Sequence, residues 1–193
     1  MSLLIGGLVL FFLAHLIPTL PQMRASLVDR LGINAYRGLF SLVSAAGLVL
    51  IVVGYGQMRG LARGNPELWT PPTWTRHVAF LLMVPAFILL VAAYVPSRIR
   101  TAVAHPMLAA LMIWAFAHLL TNGDLASVLL FGSFLAYAAY DRFSVIGRPS
   151  PGPLGTTPGR PFYDVAAIAA GLLVYALMLF WGHAWLIGVP LVR

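Results

Sequence analysis

The sequence predicts an all-α integral membrane protein, a single bundle of about six transmembrane helices. Three observations carry that reading. Hydrophobic residues make up 61% of the chain and charged residues 9%, with a mean hydropathy of +0.91, well outside the range of soluble domains. The apolar residues come in runs of near-spanning length, separated by short segments rich in Arg, Pro, Gly and Asn. The 193 residues leave room for about six spans of ~20 residues with short connections.

The runs define the elements in order. The first span is expected at about 2–20 and the second at 35–57. The third is expected at 76–94, the fourth at 105–120, the fifth at 124–140 and the sixth at 164–189. The first run lacks the basic n-region and small-residue cleavage site of a secretory signal, so it is read as a span. Pro106 suits the first turn of the fourth helix, with His105 at its entry. The fourth and fifth helices are joined only by TNG: Asn122 and Gly123 suit a left-handed helix stop, and Asp124 suits the N-cap that follows. Asp164 is expected to start the sixth helix, and Asp29 to pair with Arg30 or another nearby arginine. Residues 147–161, within GRPSPGPLGTTPGRPFYD, read as a flexible linker because Pro and Gly forbid regular structure. No internal repeat divides the chain, so 1–193 is read as one domain.

Arginine placement orients the bundle. Arg24, Arg30, Arg37, Arg98, Arg100, Arg142, Arg148 and Arg160 fall beside the odd-numbered connections, against Arg59, Arg63, Arg76 and Arg193 on the other side. Eight against four puts the odd-numbered loops in the cytoplasm and both termini outside. Trp69, Trp74, Trp181 and Trp185 then gather near the outer interface, where indoles prefer to sit. At the head of the second helix, Arg37 snorkels by default to lipid phosphate.

Composition also removes whole classes of chemistry. The chain has no cysteine, which excludes disulfides, iron–sulfur clusters, thiolate ligation and thioether haem attachment. All twelve basic residues are arginine, so no lysine exists to form a Schiff base. The formal charge of +7 reflects a shortage of acids and gives no reason to expect nucleic acid as a partner. No dinucleotide fingerprint, Walker loop or zinc helix is present.

The polar residues that stand out are histidines in apolar runs. An imidazole in hydrocarbon needs a partner, so an intramembrane histidine is a functional-site hypothesis by default. His15 lies in FFLAHLIP and His118 in HPMLAALMIWAFAHLL. Phe11 and Phe12 precede His15 by about one turn, and Trp114 precedes His118 by one turn, so each could flank a planar group. For each histidine the alternative is a core residue hydrogen-bonded locally, in the case of His118 to the TNG turn. His77 and His183 sit near helix ends, where solvation is the usual role.

The segments DRLGINAYRGLFSLVSAAGLVLIVVGYG, LWTPPTW, VPAFILLVAAYVPSRI and AHPMLAALMIWAFAHLLTNGDLASVLLFGSF, in that order, resemble the NnrU family of membrane proteins. The resemblance implies a multi-pass protein of the bacterial inner membrane, in which the arginine placement would put both termini on the periplasmic side. It also implies a role linked to denitrification, in nitrite and nitric oxide metabolism. The same core is distantly similar to 15-cis-zeta-carotene isomerase, a b-type haem enzyme whose ligating histidines fall, residue by residue, on His15 and His118. Where that isomerase has a cysteine near its second histidine, this chain has Ala115, so a sulfur ligand switch does not carry over.

The resemblance makes haem b the expected cofactor, with His15 and His118 as iron ligands and Trp114 beside the macrocycle. His105 is an alternative ligand or, with Arg98 and Arg100, a partner for haem propionates; its structural role is helix entry before Pro106. Depth argues for keeping both pairings open. His15 lies near the inner end of the first helix and His118 near the outer end of the fourth, a difference of roughly 10–15 Å, whereas His105 matches His15 better. Expected partners are the lipid bilayer, a lipophilic or small gaseous ligand, and a membrane redox partner. The competing functions are a haem-dependent cis–trans isomerase of a lipophilic polyene and a non-catalytic membrane assembly factor.

Overall fold

The computed structural model describes residues 1–59, 64–146 and 152–192. Arg63, Arg148, Arg193 and the first part of the expected linker (147–151) lie outside the described residues. Within them the protein is all-helical with no strand, apart from an isolated bridge between Glu67 and Asp124. The helices are α1 (Ser2–Leu16), α2 (Pro21–Leu31), α3 (Ile33–Arg59), α4 (Thr75–Ala92) and α5 (Arg98–Val103). They continue with α6 (Pro106–Leu119), α7 (Leu125–Ser144), α8 (Pro161–Leu177) and α9 (His183–Ile187).

Four helical stretches are long and apolar enough to cross a bilayer: Ser2–Thr19, Ile33–Arg59, Thr75–Ala92 and Pro161–Ile187. α6 is apolar but has only 14 residues, short of the ~20 that a straight crossing needs. α7 has 20 residues but carries Ser127, Ser133, Tyr137, Tyr140, Asp141 and Arg142. Large apolar side chains such as Leu42, Val52, Leu81 and Val165 are exposed along the helices. A surface of that kind calls for lipid in place of water. Trp69, Trp74, Trp181 and Trp185 are all exposed, as side chains at an interface would be.

The chain forms two compact units, each described by itself. One comprises Met1–Pro71 and Asn122–Tyr137, the other Pro72–Thr121 and Ala138–Arg193. In the first, α1 packs antiparallel on α3 through glycines. A Cβ on Gly7 would meet the Ile51 amide nitrogen at 2.6 Å, and one on Gly47 the Phe11 nitrogen at 2.8 Å. One on Gly54 would collide with the Leu4 backbone. Small residues at these positions let two backbones approach closely enough for dispersion to hold them where lipid gives no hydrophobic push. In the second unit α4 packs against both α6 and α8. Ala79, Ala86, Ala110, Ala117 and Ala167 are buried there, and Gly171 admits the Ile88 backbone.

Several sequence expectations need correction. The first span gives way at Ile17–Thr19 to a tighter 3₁₀ turn around Pro18, whose ring cannot accept a position opposite an i−4 carbonyl. A short helix, α2, then precedes α3, and it ends at Gly32, whose φ of +79° favours glycine. A further short helix, α5, precedes α6; Ser97 caps it by accepting from the Arg100 amide (3.1 Å). The last span is interrupted by a π-helical turn at Met178–Gly182. Gly123 is not left-handed, and neither is Asn122. Gly123 is needed because a Cβ there would strike the Trp69 carbonyl, while its own carbonyl accepts from the Leu68 amide (2.8 Å). Asp29 makes no ion pair among the described residues. Residues 152–160 contain turns and no helix.

Candidate functional site

His15 sits at the end of α1, where the helix tightens before Pro18. Its Nδ1 lies 2.8 Å from the Phe11 carbonyl oxygen, one turn back. A carbonyl can only accept, so Nδ1 carries the proton and the ring's lone pair is on Nε2. Phe11 stacks on the imidazole with centroids 4.0 Å apart and planes 23° apart, and Phe40 of α3 lies at 5.1 Å. Tyr137 meets the ring edge-on at 6.0 Å and donates its hydroxyl to the His15 carbonyl (3.0 Å). Phe12 packs on Phe134 and Tyr137. Phe11 thus touches the imidazole directly, and Phe12 builds the aromatic wall behind it.

His118 ends α6 in the second unit and repeats the local geometry. Its Nδ1 lies 2.8 Å from the Trp114 carbonyl, which again puts the lone pair on Nε2. The Trp114 ring is 4.9 Å away at 48°. Ala115, at the position where a sulfur ligand was considered, is fully buried. His183, which the sequence places near a helix end, donates from Nδ1 to the Val189 carbonyl (2.7 Å).

Two further predicted residues are occupied structurally. Arg98 pairs with Asp164 at 2.7 Å, and the same carboxylate accepts from the Arg98 and Ile99 amides (2.6 and 3.3 Å). Asp164 therefore caps α5 in place of opening α8, which begins three residues earlier at Pro161. The buried Arg100 donates to the Gly155 carbonyl (3.1 Å) and to that of Thr157, tying 152–160 to α5. His105 stands just ahead of Pro106 without a side-chain cap bond. It lies thirteen residues before His118, about 20 Å along α6, so these two histidines do not share a site.

A polar cluster in the first unit was only half legible. Asp124 caps α7 as expected, accepting from the Ser127 amide (3.0 Å) and hydroxyl (2.6 Å). Asn65, which the sequence did not single out, donates to Asp124 (2.8 Å) and accepts from the Ala126 amide (2.8 Å). Tyr55 adds a hydroxyl contact to Ser127 at 2.9 Å. The D-x-x-S spacing could have shown the serine, but nothing near Asn65 in sequence points to a partner so far along the chain.

Among the described residues no group of three or more His, Asp or Glu converges as a cage for a metal ion. A tetrapyrrole, which brings four nitrogens of its own, needs only one or two imidazoles.

A family model described as "NnrU protein" matches residues 3–191, nearly the whole chain. The chain belongs to the NnrU family. No significant match was found among curated proteins or among solved structures.

Proposed function

We propose that this NnrU-family membrane protein binds b-type haem through intramembrane histidines, with His15 and His118 the candidate ligands, and serves nitrite and nitric oxide metabolism. One observation carries the reading. Both imidazoles sit in apolar helices with Nδ1–H donated to the carbonyl four residues back, which puts the ring lone pair on Nε2, the atom that would ligate iron. The protein atoms present fit iron ligation by neutral imidazole, and the absence of Cys and Lys removes the common competitors. Phe11 and Tyr137 hold the His15 ring, and Trp114 flanks His118. Both arginines already have partners, so a propionate would have to compete with Asp164 for Arg98, the more exposed of the two, or with 152–160 for Arg100. Bound haem would supply an electron-transfer centre when both axial positions are filled, or a small-ligand site when one is labile.

The test is an oxidised and reduced visible spectrum of the protein purified in detergent after haem-supplemented expression. A Soret band that moves on reduction is expected. His15→Ala and His118→Ala should each disturb it, while His105→Ala and His183→Ala leave it intact. Colourless wild-type protein would end the proposal, and loss of the band in His105→Ala instead of His118→Ala would shift the ligand pair.

The same reading takes six spans in the cytoplasmic membrane, with α6 and α7 crossing as a hairpin and both termini periplasmic. Because the chain has no cysteine, a single introduced thiol reports its own location. Asn122→Cys and Glu67→Cys should both react with an impermeant maleimide added to intact spheroplasts. If both stay silent until the membrane is dissolved, the turn and the segment hydrogen-bonded beside it do not face the periplasm, and this topology fails.

A further inference from the structure

Two adjoining clefts on the first unit differ in chemistry. The upper one, about 310 Å³, is lined by Pro18, Arg24, Tyr36, Arg37, Phe40 and Ser41. The lower one, about 210 Å³, shares Tyr36 and Phe40 and is otherwise apolar, with Leu13, Leu27, Leu39 and Val43 among its walls. Tyr36 lies at the junction. It is 8% exposed, and its hydroxyl is buried without a hydrogen-bond partner among the described residues. An orphaned buried hydroxyl is costly unless something not drawn in the protein satisfies it. The Arg24 guanidinium lies over the Tyr36 ring, 5.8 Å from its centroid.

We propose that this composite cleft binds one anionic phospholipid, its phosphodiester held by Arg24, Arg37, Ser41 and the Tyr36 hydroxyl and an acyl chain lying in the lower groove. Two guanidinium groups and two hydroxyls match the acceptor-rich phosphate, and guanidinium–phosphate bonds are among the stronger charge-assisted hydrogen bonds. No acidic side chain lines either cleft, so the ammonium of a zwitterionic headgroup has nothing to pair with. The site therefore selects net negative charge. A snorkelling arginine alone explains neither the buried hydroxyl nor the apolar groove that begins where the polar cleft ends. The proposal stands independently of haem binding.

Native mass spectrometry of the full-length protein, delipidated in neutral detergent, tests it. The probes are phosphatidylglycerol and phosphatidylcholine of matched acyl chains, and inorganic phosphate as a competitor. One phosphatidylglycerol should be retained about tenfold more tightly than phosphatidylcholine. The double variant Arg24→Gln/Arg37→Gln should erase that preference, whereas Arg30→Gln, which removes a charge from the same helix but lines neither cleft, keeps it. Tyr36→Phe should weaken retention of both lipids several-fold, because the phosphodiester it holds is common to both. That subtle variant carries the test if the double variant does not fold. Equal retention of the two lipids by the wild type, an undiminished preference in the double variant, or undiminished retention of both lipids by Tyr36→Phe overturns the proposal. Displacement of the lipid by inorganic phosphate alone overturns it too, since the cleft would then be a small-anion site without an acyl component.

Discussion

The two units hold their helices together by different means. In the first, α1 and α3 meet at Gly7, Gly47 and Gly54, with no side chain between the backbones. In the second, α4 meets α6 and α8 largely through alanines, with Gly171 admitting the backbone of Ile88 (2.6 Å from an ideal Cβ to its Cα). An alanine interface keeps methyl groups between the main chains and can absorb a few tenths of an ångström. A glycine interface cannot, because what lies opposite is main chain. The first unit should therefore be the more brittle. In that unit rings from Phe11, Phe40 and Tyr137 surround His15.

The largest expected effect is Gly54→Ala. Its methyl would run into the Leu4 backbone, and overpacking against main chain costs about 3 kcal/mol. Thermal unfolding in detergent should drop markedly. Gly56→Ala, two residues along the same helix, has nothing within 4 Å of the added carbon. It should raise stability by about 0.5–1 kcal/mol, because alanine loses less conformational freedom in a helix than glycine does. If the two variants behave alike, close backbone approach is not what joins α1 to α3. Gly171→Ala probes the second unit and should cost less, about 2 kcal/mol. A cost equal to or greater than that of Gly54→Ala would reverse the comparison.

Next in size is Asp124→Ala. The carboxylate accepts from the Ser127 amide and hydroxyl and from Asn65. Its removal strips α7 of its cap and should cost about 1–2 kcal/mol. Asn65→Ala should cost a similar amount, and the double variant less than the sum, since both side chains belong to one network. Strict additivity would show that the two act separately.

These contrasts mark what the sequence could and could not reveal. Membrane character, the long apolar helices and the start of α6 at Pro106 follow from composition, hydropathy and proline rules, all of which are local. The N-cap role of Asp124 was legible for the same reason. The Nδ1–H bonds of His15 and His118 are also local, each closing on a carbonyl one turn back. What escaped were contacts between distant segments. Gly123 was read as a conformational residue, but it is a packing residue set by Trp69, more than fifty positions away. Asp164 was read as the start of its own helix, but it serves the head of α5. Hydropathy also missed α2 and α5, because both are short and rich in arginine and so resemble loops in composition.

The smallest effect concerns the entry to α6, and its sign is the informative part. Ala104, just ahead of His105, has φ +65° and ψ −44°. The His105 amide donates to the Val103 carbonyl across it (2.8 Å), closing a γ-turn of the rare positive-φ kind. An L-residue with a Cβ is strained there by about 1–3 kcal/mol, and glycine is not. Ala104→Gly removes that strain but gives the unfolded chain more freedom, which offsets about 0.4–1 kcal/mol. The net expectation is a gain of up to about 1 kcal/mol, read as a modest rise in melting temperature. Ala102→Gly, within α5 and at ordinary helical angles, should instead lose about 1 kcal/mol. Opposite signs from the same substitution two residues apart would locate the strain at the turn itself. A loss at both positions would mean that Ala104 is not strained and that proline at the first turn suffices to set the start of α6.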